Sequence, residues 1–84
     1  MQLTLYRRAG CHLCEEVKGK IAPLLREFGL ALEEVDVDTD AELKARFGEE
    51  VPVLFLDDRK VAKHRVDVGR LRRSLESAQR IHSS

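Results

Sequence analysis

An α/β fold with a four-stranded mixed sheet and helices on both of its faces, in the order β-α-β-α-β-β-α, is what this 84-residue chain predicts. Three observations carry that expectation. Leu3 and Leu5 alternate with Thr4 and Tyr6 near the start, which is the period of a strand. From Cys14 the apolar residues Val17, Ile21, Leu24, Leu25 and Phe28 recur at helical spacing. Further on, Val53-Leu54-Phe55-Leu56 is a continuous apolar run of the kind found in a central strand covered on both faces.

Residues 2–6 form the first strand, and Arg7-Arg8-Ala9-Gly10 is a short loop leading directly into Cys11. The helix that follows ends at Gly29. Pro23 inside it removes the hydrogen bond to the Gly19 carbonyl, which predicts a kink or a break near Gly19. Leu32-Glu33-Glu34-Val35-Asp36-Val37 is a second strand, parallel to the first because a strand-helix-strand unit takes a right-handed crossover. Asp38 or Thr39 can cap a short helix that carries Leu43 and Phe47 and stops at Gly48. Val51-Pro52 precedes the apolar strand, and Asp57-Asp58-Arg59 turns into a short strand around residues 60–63, a closing hairpin antiparallel to the first two strands. Asp67 caps a last helix bearing Leu71, Leu75 and Ala78, and residues 80–84 read as a frayed end.

One domain spanning residues 1–84 is expected, since a second unit of this length could not bury a core of its own. The composition, 43% hydrophobic and 36% charged, describes a compact soluble protein, and the balance of 15 Lys+Arg against 15 Asp+Glu lends a nucleic-acid partner no support. No window reaches the roughly 18 apolar residues that a membrane span requires, and the start lacks the basic-then-apolar order of a signal peptide. The chain therefore reads as a cytoplasmic monomer with no membrane partner.

Cys11-His12-Leu13-Cys14 carries the chemistry. Residues i and i+3 at a helix start share one face, with β-carbons about 5–6 Å apart, so the two sulfurs can cycle between dithiol and disulfide. In a cytosolic chain such a pair points to catalysis or metal rather than to a structural staple, which would close almost no loop. Cys11, where unpaired helix amides and the positive end of the helix dipole favour a thiolate, is the expected nucleophile, and Cys14, one turn inside, the resolving thiol. Arg7, Arg8 and a protonated His12 favour the thiolate, whereas Glu15 and Glu16 oppose it. His12 either tunes the sulfur or simply points into solvent, and His64 reads as a surface residue. Zinc would need four ligands, and one cysteine pair supplies two, so no metal site is expected.

Strand, short loop, Cys-x-x-Cys opening a helix, and Val51-Pro52 before the third strand together resemble the thioredoxin fold. With the first strand at residue 2 and no Trp before Cys11, the resemblance is to glutaredoxins, and more narrowly to a family of short bacterial glutaredoxin-like proteins of unassigned substrate. It implies a thiol–disulfide oxidoreductase acting on a protein disulfide or on glutathione. No cofactor is tightly bound on this reading; glutathione serves as co-substrate, and the electron donor is left open. It also implies a cis bond at Pro52, a backbone edge at Val51 for the substrate, and Arg8 to meet a glutathione carboxylate. The glycine pair that glutaredoxins carry after the hairpin is replaced by Ala62-Lys63, and Asp67, the candidate for the following Asp, falls about two residues late. Two alternatives stay open, a redox-inactive binding module that docks a peptide at the Val51 edge, and a glutathione-dependent iron–sulfur carrier. Arg70, Arg72, Arg73 and Arg80 give the last helix a basic face that reads as solvated, and no partner molecule is assigned to it.

Overall fold

The computed structural model describes residues 1–82, with side chains described through residue 80. Its elements are β1 (Leu3–Arg7), α1 (His12–Phe28), β2 (Leu32–Asp36), a short 3-10 turn (Val37–Thr39), α2 (Ala41–Phe47), β3 (Val53–Leu56), β4 (Arg59–Lys63) and α3 (Val68–His82). The sheet order is β2-β1-β3-β4, with β1 parallel to β2 and antiparallel to β3, and β4 antiparallel to β3. This is the thioredoxin-like arrangement the sequence predicts.

Strand alternation divides the core into two layers. Leu3, Leu5, Leu54 and Leu56 turn to one face, where α1 supplies Val17, Ile21 and Leu24 and α3 supplies Leu71 and Leu75. Each such side chain, fully buried, contributes roughly 1.5–3 kcal/mol relative to exposure. Val53 turns to the other face and packs with Val37 and Phe47, flanked by Tyr6, Leu43, Val51 and Phe55. There Tyr6 and Phe47 lie 4.7 Å apart by ring centroids, and Phe55 meets both edge-on at 5.5 and 5.7 Å.

Three details differ from the sequence expectation. No break interrupts α1 at Gly19: the helix runs from His12 to Phe28 with Pro23 inside it. Pro23 and Gly19 both lie on the solvent face, so water can hydrate the carbonyl that loses its partner, while the buried stripe keeps its contacts. The cap of α2 is Asp40, whose Oδ1 accepts from the amides of Glu42 and Leu43 at 2.8 and 3.2 Å. Asp38 and Thr39 instead belong to the preceding 3-10 turn, which Asp36 caps through the Asp38 amide. At the far end the helical backbone continues to His82 where fraying was expected from residue 80; residues 83 and 84 lie outside the described residues.

Candidate functional site

Gly10 adopts φ 75°, a left-handed conformation that glycine reaches without a Cβ penalty, and turns the chain from β1 into α1. Cys11 then sits as the N-cap, with φ −82° and ψ 108°, and its Sγ accepts from the Cys14 amide at 3.1 Å. A sulfur thus holds the place where Ser or Thr oxygen usually satisfies a free helix amide. A negative sulfur there gains both a charge-assisted bond and the field of the helix N-terminus. Cys11 and Cys14 are joined as a disulfide with Cα atoms 5.3 Å apart. Cys14 is completely buried, whereas Cys11 is partly exposed and lines an open cleft of about 250 Å³ with Arg7, Gly10, His12 and Glu15.

The two arginines before the motif part company, because consecutive strand residues face opposite ways. Arg7 follows Leu3 and Leu5 to the α1 face: its Nη2 meets Glu15 at 2.9 Å and its Nη1 meets Glu34 at 3.3 Å. Lys18 shares Glu34 at 3.2 Å, and the Arg7 Nε is buried without a hydrogen-bond partner. Arg8 follows Tyr6 to the α2 face, where Nε meets Asp38 at 3.1 Å and Nη1 donates to the Gly48 carbonyl at 3.3 Å. Arg8, singled out from the sequence, is therefore tied to the loops around α2, while Arg7 lines the sulfur cleft. The period of β1 carried that signal: Arg7 is in phase with the inward leucines. His12 is exposed on the first turn of α1, at the cleft.

Val51-Pro52 is cis and Pro52 is buried. The Val51 amide donates to the Phe47 carbonyl at 3.1 Å, so of the backbone edge expected there the carbonyl is what remains for an added strand. The Pro52 carbonyl accepts from the His64 amide at 2.7 Å, which links the cis peptide to the end of β4. There the chain makes a tight turn in which Arg65 N–H donates to the Lys63 carbonyl at 2.7 Å and His64, an exposed residue, takes φ 64°. The turn takes up the extra residues between β4 and Asp67. Asp67 is the N-cap of α3, its Oδ1 accepting from the Arg70 amide at 3.1 Å. Among the described residues no group of three or more His, Cys, Asp or Glu side chains is placed to hold a metal ion.

A thioredoxin-like sheet with a cysteine pair capping its first helix defines the class of protein. The chain belongs to the family described as Glutaredoxin-like domain (DUF836), which matches residues 2–76. It is 40% identical to an uncharacterized protein of Mycobacterium tuberculosis over 84% of this chain and 78% of that one. It is also 30% identical to a glutaredoxin-like protein of Dictyostelium discoideum over 95% of this chain and 80% of the other. Among solved structures it resembles a structural-genomics target from X. campestris, at TM-score 0.72 and 36% identity, with 89% and 96% of the two chains covered. Protein Ne2328 of Nitrosomonas europaea matches at TM-score 0.77 and 29% identity, with 87% and 88% covered.

Proposed function

We propose that the protein is a dithiol oxidoreductase in which Cys11 and Cys14 exchange electrons with a disulfide substrate. The observation that carries this is the asymmetry of the pair: a partly exposed Cys11 capping α1 at an open cleft, bonded to a completely buried Cys14. In the reduced protein the Cys11 thiolate attacks one sulfur of the substrate disulfide; that S–S bond breaks, and the other substrate sulfur leaves as a thiolate that takes up a proton. Cys14, deprotonated, then attacks Cys11 Sγ, forming the internal disulfide and releasing the second substrate thiol. The substrate gains two electrons and the protein loses two. A second thiol compound, a dithiol protein or glutathione, returns them by the same steps in reverse.

The Cys14 proton passes to the departing thiolate or to water. Val51 and Pro52 position an extended substrate through the Val51 carbonyl. Arg7, lining the cleft beside His12, supplies positive charge near the reacting sulfur, and Glu15 limits it.

The test is to mix Cys14→Ser protein with a model disulfide and with a cell extract. Mixed disulfides on Cys11 are the expected result, with Cys11→Ser inactive in the same assay. Reduction by Cys11→Ser at the parent's rate would rule the reading out. Glutathione adducts would identify glutathione as co-substrate, protein adducts a protein substrate.

A further inference from the structure

The charges are sorted across the sheet. Residues 31–58 hold ten Asp and Glu against two Lys and Arg, while residues 59–80 hold eight Lys and Arg against two Asp and Glu. Because the sheet order is β2-β1-β3-β4, the acidic stretch includes one edge strand and the basic stretch the other. On the basic side a second cleft, of about 260 Å³, opens between β4 and α3, lined by Arg59, Lys60, Val61, Arg70 and Ser74.

Two of its cations, Arg59 and Arg70, differ from Arg7, Arg8, Arg46 and Arg72 in having no charged or aromatic partner among the described residues. Arg7, Arg8 and Arg72 are ion-paired, and Arg46 lies over the Phe47 ring. The guanidinium groups of Arg59 and Arg70 make no ion pair among the described residues. Lys60 is shared with Glu50 at 3.4 Å, so it adds less. Two guanidinium forks without an ion pair and a hydroxyl that can donate surround one hollow with no carboxylate in its lining among the described residues, an arrangement suited to a doubly charged, acceptor-only group. With a water taking roughly 30 Å³ of liquid volume, the cleft has room for a phosphoryl group and a small substituent.

We propose that this cleft is an anion site for a small phosphorylated ligand, held by Arg59, Arg70 and Ser74. It is separate from the dithiol: Arg59 is opposite Leu56, which is opposite Leu3, so it lies at the end of the sheet away from Arg7 and Cys11. The sequence shows basic residues along α3; what the fold adds is that Arg70 and Ser74 converge with Arg59 from a different element.

The experiment is an NMR titration of the amide spectrum at constant ionic strength, with inorganic phosphate and methyl phosphate as probes and chloride as control. Saturable shifts confined to residues around Arg59, Arg70 and Ser74 are expected. Arg59→Gln and Arg70→Gln each weaken binding by about tenfold or more, the loss of a charge-assisted bond. Arg65→Gln and Arg73→Gln, basic but outside the cleft, leave it within about twofold. The doubly substituted C11S/C14S protein binds as the parent does, so the site stands or falls apart from the redox reading. Shifts that never saturate, an equal response to chloride, or equal losses in all four arginine variants would overturn the site and leave a diffuse basic surface.

Discussion

Glu50 is the residue whose ionisation the fold alters most clearly. Lys60, and then Lys63, each 3.4 Å away, hold its carboxyl below the ordinary glutamate range, against an opposing effect of desolvation. A carboxylate with a lowered folded-state pKa stabilises the fold above its unfolded pKa, and that contribution disappears as pH falls through the lowered value. Glu50→Gln should thus lose stability relative to the parent at neutral pH and match it at strongly acidic pH, read by denaturant titration at several pH values. Because the pair is exposed, the difference should also shrink in high salt. Gly48 is constrained in another way. A Cβ built there would lie 2.5 Å from the Lys44 carbonyl oxygen, and backbone cannot easily give way. Gly48→Ala is expected to cost about 1–3 kcal/mol, measured by urea unfolding, and to disturb Arg8, which bonds the Gly48 carbonyl.

At the scale of the element, α1 and α2 make separable predictions. Pro23 deprives α1 of one backbone bond on its wet face, so Pro23→Ala should raise stability by about 1–3 kcal/mol, the helix-propensity gain less the unfolded-chain entropy it restores. An unchanged urea midpoint would mean that hydration of the Gly19 carbonyl replaces the bond fully. Asp40 satisfies two amides of α2, and Asp40→Ala should cost about 0.5–2 kcal/mol, with faster amide exchange at Glu42 and Leu43 as the local signature. The N-cap of α1 is different in kind. Its capping atom is the Cys11 sulfur, so redox chemistry at that atom also changes the capping of the helix.

For the whole molecule, α3 closes the core by setting Leu71 and Leu75 against β1, β3 and α1. Leu75 is fully buried, and Leu75→Ala should cost about 2–5 kcal/mol, a large share of the 5–15 kcal/mol typical of a domain. The expected fall in melting temperature is roughly 4–8 °C for each kcal/mol. A fall of less than 2 °C would mean that α3 does not depend on this contact.

Much of the architecture was legible in the chain because it rests on local physics. The alternation of Leu3 to Tyr6 and the spacing of Val17, Ile21 and Leu24 determine strand and helix by side-chain period, and the short apolar run at Val53 to Leu56, with β-branched Val53 and aromatic Phe55 and bounded by Pro52 and Asp57, reads as a covered strand. The dithiol is equally local, since a separation of three positions at a helix start sets the distance between its cysteines. What only the tertiary structure decided are relations between distant segments. Which groups hold each arginine, Glu15 and Glu34 for Arg7 and Asp38 and the Gly48 carbonyl for Arg8, depends on segments that meet across the sheet. That the Val51 amide is already donated depends on the turn after α2, and the meeting of Arg59 and Arg70 at one cleft depends on where α3 sits beside β4. A chain's own spacing specifies neighbours within a turn or a strand; contacts across tens of residues exist once the sheet has closed and its two faces are covered.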